Sequence, residues 1–429
     1  MTDVIFATAS GVGGAIAVVR LSGAGIDPIV RALSGTLPAP RRASVRRFHD
    51  GEGRLIDQGL LIRFPGPASV TGEDYAELHT HGGRAVAAAL TATLIALGAR
   101  PAEPGEFSRR AFGNGKLDLL QAEGVADLIG AETEAQRVLA LDQAGGAMSE
   151  AIGAWRGRLV GLMARQAALI DFADEDLPPD VEAAMLADID ALHLDVMAAI
   201  GAGVAAERLR EGVDIVVLGA PNAGKSTLVN VLAGEDVAIV SDTPGTTRDA
   251  IGVRLDLGGV PVRLVDTAGL REAADAIEAE GIHRAEAHAR RADFLILCAA
   301  APDFVVPAAP AGVPALIVAT KADLAGACPD GALAVSAQTG AGVAALVAAL
   351  TEHVAALVAR GAGPALPRPR QIACLRDMAA ALERAMAVAE PELRAADLQA
   401  AADALARLVG VIGVEDVLDQ VFSSFCIGK

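Results

Sequence analysis

Apolar positions follow four successive rhythms along the chain. Over residues 1–118 short apolar runs such as "AIAVVRL" and "GLLIRF" are punctuated by Gly and Pro, with one stretch at helical spacing near 84–97. That pattern predicts a small α/β domain. From 119 to 210 the chain turns rich in Ala, Leu, Glu and Gln with few breakers, which predicts helices. From 211 to 360 the strand-like runs "VDIVVLGA", "VRLVDTAG", "DFLILCAA" and "ALIVATK" alternate with helical stretches, as in a doubly wound parallel sheet. "GAGPALPRPR" (361–370) reads as a linker. Beyond it Leu398, Ala402, Leu405, Leu408 and Ile412, then Val414, Val417, Leu418, Val421 and Phe422, return at helical spacing. The economical architecture is multidomain. A small α/β domain (1–118) precedes an all-α domain split into 119–210 and 361–429 by an inserted doubly wound α/β domain (211–360).

Composition narrows the classes. The hydrophobic fraction is 52 % but only 3 % is aromatic, which favours Ala-rich helix over stacked aromatic platforms. The cysteines Cys298, Cys328, Cys374 and Cys426 form no CxxC pair, so neither a zinc site nor a disulfide framework is expected, and a reduced cytoplasmic setting is. "MTDVIFATASGVGG" lacks the basic start of a signal peptide, and "VVPAAPAGVPALIVA" is broken by prolines, so no membrane association is expected. The net charge is −18, yet residues 1–118 hold 13 Lys+Arg against 11 Asp+Glu. An acidic surface repels phosphate backbones, so RNA contact is expected through the N-terminal part or through a partner protein.

"GAPNAGKST" (219–227) follows the run "VDIVVL" and satisfies GxxxxGK[ST] in a strand-to-helix context. Gly219 and Gly224 let the backbone wrap phosphates, Lys225 neutralises their oxygens, and the Ser226 hydroxyl suits Mg²⁺. "DTAG" (266–269) ends a strand and places Asp266 near the metal and the Gly269 amide near a γ-phosphate. "TKAD" (320–323) and "VSA" (335–337) end later strands, and Asp323 would accept the guanine N1 and N2 protons, which adenine cannot supply. The nucleotide is therefore GTP. Thr320 stands where GTPases usually have Asn, so weaker base affinity is expected. "SDTPGTTRD" (241–249) is the expected switch I, with Thr247 ligating Mg²⁺ when the γ-phosphate is present. Leu270 stands where Ras-like proteins place a water-orienting Gln, so hydrolysis needs another group. Glu278 within "LREAADAIEAEG" is a candidate, and a solvated helix residue is the plain alternative.

Together with "TGEDYAELHTHGG", "PGEFSRRAFGNGKLDLLQAEGVADLI", "IDFADED" and the terminal "FCIGK", these motifs resemble the MnmE (TrmE) family of tRNA modification GTPases across essentially the whole chain. The resemblance implies a homodimer built through an N-terminal domain that binds 5,10-methylene- or 5-formyl-tetrahydrofolate, with Arg20, Glu77, Lys116 and Lys429 matching the folate contacts. It implies GTP contacts from Asn222, Ala223, Gly224, Lys225, Ser226 and Thr227, and from Ser241, Asp242, Thr243, Pro244, Gly245, Thr246 and Thr247. Further contacts fall to Asp266, Thr267, Ala268 and Gly269, to Thr320, Lys321 and Asp323, and to Val335, Ser336 and Ala337. Asn222, Ser241, Thr243 and Thr246 match ligands of a K⁺ that replaces an arginine finger, and Glu278 matches the glutamate that positions the catalytic water. Mg²⁺ would sit on Ser226 and Thr247. The family works with an FAD-containing partner, MnmG, in a heterotetramer or larger assembly. There it adds an aminomethyl or carboxymethylaminomethyl group to C5 of the wobble uridine, position 34, of certain tRNAs, which the partner largely holds.

A regulatory or ribosome-assembly GTPase of the Era/Der kind also carries "PGTTRD", but with a basic C-terminal RNA-binding module where this chain has an acidic helical region. Glu77, His79 and His81 alternate and so share a strand face. A folate-contacting Glu77 beside two structural histidines suits them better than a metal site, since no third ligand is placed. "IDFADED" (170–176) reads as a solvated helix end, and Trp155 and Tyr75 as core or pocket wall. The "CIGK" ending lacks the aliphatic and terminal residues of a prenylation box. Carried by an apolar helix, it instead presents Cys426 as a candidate nucleophile toward the pyrimidine ring.

Overall fold

The computed structural model describes residues 3–10, 13–171, 180–235, 237–239, 252–266, 287–324, 328, 330–359, 365–410 and 428. They divide into two compact units, the first comprising Met1–Ala126, Gln143–Glu150 and Leu405–Lys429, the second Asp127–Asp142 and Ala151–Ala404.

The first unit is built on strands β1 (Ile5–Thr8), β2 (Ile16–Ser22), β3 (Ser44–His49), β4 (Leu55–Phe64), β5 (Tyr75–His81) and β6 (Arg100–Pro101). They form one sheet in the order β3-β4-β5-β2-β1-β6, antiparallel except for the β1–β6 pair. Alternation decides which face is dry. Val19, Leu21, Leu61, Ala76 and Leu78 point to one face and bury against Ile26, Ile29, Val30 and Leu33 of α1 (Ile26–Ser34) and Leu90 and Leu94 of α2 (Arg84–Ala96). On the opposite face a smaller cluster of Ile5, Ala7, Tyr75 and Ala102 closes with Phe107 of α3 (Glu106–Gly113). The register across β2 and β5 sets Arg20 opposite Glu77.

Four helices lead into and through the second unit: α4 (Leu119–Gly130), α5 (Glu134–Ala144), α6 (Ala147–Asp171) and α7 (Asp180–Glu211). Along α7 the residues Met185, Ile189, Leu192, Val196, Ala199, Ala202, Ala206 and Leu209 are all buried. Their spacing of three and four makes one continuous stripe, which packs on α10 (Pro369–Ala387). α7 is also, from Val181 on, the one helix among the described residues long and apolar enough to cross a membrane, because alanine raises its mean hydropathy; that same stripe lies in the protein core.

The inserted sheet runs β12-β11-β10-β7-β9-β8, with strands β7 (Val213–Gly219), β8 (Gly252–Leu257), β9 (Val260–Asp266), β10 (Phe294–Ala300), β11 (Ala315–Thr320) and β12 (Leu333–Ala334). All pairs are parallel except the β8–β9 hairpin. Helices α8 (Lys225–Ala233) and α9 (Val343–Leu357) cover it through Leu228, Leu232, Leu346 and Leu350. Leu139 of α5 and Ala202, Ala206 and Leu209 of α7 belong to the same apolar core, so these helical segments and the sheet form one packed body. The expected linker is shorter than its sequence suggested. α10 already begins at Pro369, where proline's missing N–H and fixed φ favour the first helical position. α11 (Pro391–Val409) follows.

Candidate functional site

The phosphate end of the nucleotide site grows from the junction of β7 and α8. Gly219 ends the strand where a Cβ would lie 2.6 Å from the carbonyl oxygen of Cys298, so only glycine lets the loop turn there. Asn222 and Gly224 take left-handed φ of 64° and 81°, and the chain enters α8 at Lys225 with its amides facing the loop. A helix N-terminus behind such a loop is an anion cradle. Lys225 is 6 % exposed, and its Nζ donates to the carbonyls of Gly219 (3.0 Å) and Ala220 (2.9 Å), which holds its charge at the mouth of the loop. Ser226 and Thr227 are exposed in the first turn of α8, where their hydroxyls can meet a metal ion or phosphate oxygen. Asp266 ends β9 in register with Val217, beside this loop. Behind the loop, burial pushes the Cys298 thiol up to about 12, so it is a neutral wall rather than a nucleophile.

At the base end a cavity of about 240 Å³ is lined by Gly224, Thr227, Lys321, Asp323, Val335 and Ala337, among others. Asp323 is oriented by the Ser336 hydroxyl, which donates to Oδ1 at 2.6 Å, and Ser336 is itself fixed by the Thr339 amide. The Ala322 amide donates to the Val335 carbonyl, joining the two base loops.

Thr320 also lines this cavity, and its side chain has a second task. It is buried, and its hydroxyl donates to the carbonyl of Ala223 at 2.5 Å, with that of Ala299 at 3.3 Å. The side chain ties the end of β11 to the phosphate loop and has no proton left for a base. Nothing local signals this brace, because its acceptor lies 97 residues away.

In the first unit the structure brings Arg20, Glu77 and Gly428 together. Arg20 Nε lies 3.5 Å from Glu77 Oε1, and Arg20 Nη1 donates to the Gly428 carbonyl at 3.4 Å. Gly428 is buried with φ 99°, where a Cβ would sit 2.9 Å from the Thr8 carbonyl oxygen. Glu77 Oε1 also accepts from the Tyr75 hydroxyl at 3.1 Å, while His79 Nε2 stands 3.4 Å from Oε2. His81 turns instead to Asp57, 2.8 Å away. Among the described residues no three His, Cys, Asp or Glu side chains are arranged to hold a metal ion. Lys116 is exposed beyond α3, its Cε packed near Gly72.

Residues of the "GEFSRRAF" segment that the sequence left without a role build an ion-pair network in the same unit. Arg110 donates to Glu73 (3.0 Å), to Glu106 (3.0 Å) and to Asp3 (2.9 Å), and Arg100 pairs with Glu106 (2.6 Å). Ser22 donates to Glu73 at 2.8 Å and sits 2.7 Å from Thr71. Burial raises the Glu106 carboxyl, but hydrogen bonds from Arg100, the Glu103 amide and Arg110 outweigh it and hold it below the usual carboxylate range. Hydrogen bonding to Arg100 likewise lowers Asp3.

Ser241, Asp242, Thr243, Pro244, Gly245, Thr246, Thr247, Thr267, Ala268, Gly269, Leu270, Glu278, Cys426 and Lys429 lie outside the described residues, as does most of "IDFADED".

Two family models match the chain, "GTP-binding protein TrmE N-terminus" over residues 4–116 and "MnmE helical domain" over residues 119–426. The tRNA modification GTPase MnmE of Acidiphilium cryptum is 77 % identical over 428 residues, covering 100 % of this chain and 99 % of that protein. Its counterpart in Gluconacetobacter diazotrophicus is 51 % identical over 434 residues, covering 99 % of this chain and 98 % of that protein. Among solved structures, the FeoB G domain of Methanococcus jannaschii aligns at 22 % identity over 33 % of this chain and 97 % of its own, with a TM-score of 0.24.

Proposed function

The chain belongs to the MnmE family of tRNA modification GTPases, and on that premise we propose how its two sites divide the work. The inserted domain hydrolyses GTP with K⁺ and Mg²⁺. The N-terminal domain holds a tetrahydrofolate one-carbon unit. With an FAD-containing MnmG partner, the homodimer uses that unit to build an aminomethyl or carboxymethylaminomethyl group on C5 of the wobble uridine.

The observation that carries the folate half is the convergence of Arg20, Glu77 and Gly428. Arg20 Nε is buried and makes no hydrogen bond among the described residues, which leaves a donor beside a carboxylate with acceptor capacity to spare. A polar, carboxylate-bearing heterocycle such as a reduced folate fits that donor–acceptor pair. Bound there, it would supply the one-carbon unit; the chain's own contribution is to orient it beside Gly428.

At the nucleotide site Lys225 and the first turn of α8 neutralise phosphate charge, and Ser226 would hold Mg²⁺. Asn222, on the rim of the loop, suits a monovalent cation, which would add the positive charge that an arginine finger provides elsewhere. Glu278 positions the attacking water in place of the Gln that Leu270 replaces. GTP hydrolysis should be far faster in KCl than in NaCl at equal ionic strength, and equal rates would remove the cation from the mechanism.

A further inference from the structure

Tyr75 is the single tyrosine of the chain, and its ring is 2 % exposed at the start of β5. Phe64 lies 5.8 Å from it, tilted, and Phe107 lies 6.3 Å away, edge-on. Those rings would fix a phenylalanine equally well, so packing alone does not account for the hydroxyl. Its oxygen emerges from the apolar box on the face that carries Arg20 and Glu77, two residues along the same strand, and donates to Glu77 Oε1. Desolvation raises the phenol above its ordinary value, so the proton stays on the oxygen across the working pH range.

Glu77 is thereby gripped unevenly. Oε1 takes the Tyr75 hydroxyl at 3.1 Å and faces Arg20 Nε at 3.5 Å, whereas among the described residues Oε2 has only His79 Nε2 at 3.4 Å. A carboxylate on a two-bond stem rotates freely at its end unless one oxygen is pinned. We propose that Tyr75 is a positioning residue of the one-carbon-carrier site, its buried hydroxyl pinning Oε1 of Glu77 so that Oε2 is presented to the amide-and-amine edge of a reduced pterin. The ligand then meets a carboxylate already oriented, and the ordering cost is paid in folding. This rests on the folate reading above.

The test uses the full-length protein and 5-formyltetrahydrofolate as the probe. By titration calorimetry Tyr75→Phe should raise the dissociation constant about tenfold, the scale of one charge-assisted hydrogen bond. Its melting temperature and GTP hydrolysis should match the wild type, since the ring still fills its box. A wild-type constant in Tyr75→Phe overturns the inference while leaving the folate reading intact. No binding by the wild type overturns that reading, and the inference with it. A second measurement does not depend on a substitution. 3-Fluorotyrosine labels Tyr75 alone, and its ¹⁹F resonance should shift on ligand addition; an unmoved resonance with ligand bound also refutes the proposal.

Discussion

Thr320→Val removes one hydroxyl from the interior of the nucleotide-binding domain and separates a brace from a base contact. In the structure that hydroxyl serves the Ala223 carbonyl at 2.5 Å, beneath Gly224, whose Cβ position would lie 3.5 Å from Thr320 Cβ. Valine keeps the shape but leaves a buried carbonyl unsatisfied, which costs about 1–3 kcal/mol. For a unit of this size each kcal/mol lowers the midpoint by about 2–4 °C, so nucleotide-free protein should melt roughly 2–12 °C earlier. Because the tethered segment is the phosphate loop itself, affinity for a fluorescent GDP analogue should also fall by about 3- to 30-fold. Differential scanning calorimetry and fluorescence titration measure the two effects. If the nucleotide-free melting temperature is unchanged while GDP affinity falls, the hydroxyl works on the base and the brace is wrong.

The same geometry sets two further outcomes. Gly428→Ala would place a Cβ 2.9 Å from the Thr8 carbonyl oxygen at a φ of 99° that costs L-residues about 1–2 kcal/mol, so carboxypeptidase should release the C-terminal residues about tenfold faster than from wild type. An unchanged release rate would mean that Gly428 is not held against β1. Glu106 titrates below its ordinary value of 4.5 in the folded chain, so it binds protons less readily there than when unfolded. Its contribution to stability is complete above that value and is lost as pH falls through the depressed one. Glu106→Gln should therefore melt lower at pH 7 and show a flatter decline toward pH 3, and parallel curves would refute the ion-pair account.

The two sites were unequally legible in the sequence, for a physical reason. The phosphate loop is contiguous: nine residues from Gly219 to Thr227 carry the turn glycines, the cation and the helix start, so strand, loop and α8 could be read from the letters alone. Asp323 and Ser336 could also be placed, each just past a strand end. What could not be read was the cross-linking of these pieces. Thr320 in place of Asn suggested a weakened base contact, whereas folding brings its hydroxyl under Ala223.

The N-terminal site depends almost wholly on register. The alternation of Glu77, His79 and His81 is visible in the sequence and puts them on one strand face, which Tyr75 shares in the structure. That Arg20 stands opposite Glu77 follows from the pairing of β2 with β5 across more than fifty residues, and a one-residue slip would have sent every one of these side chains to the dry face. Leu78 and Ala76, fully buried between them, make that slip expensive, because it would expose their apolar surface and bury Glu77 instead. Gly428, 408 residues from Arg20, completes the cluster. The apolar alternation of β5 thus does two jobs. It builds the core on one face, and by forbidding a slip it fixes the positions of Tyr75, Glu77 and Arg20 on the other.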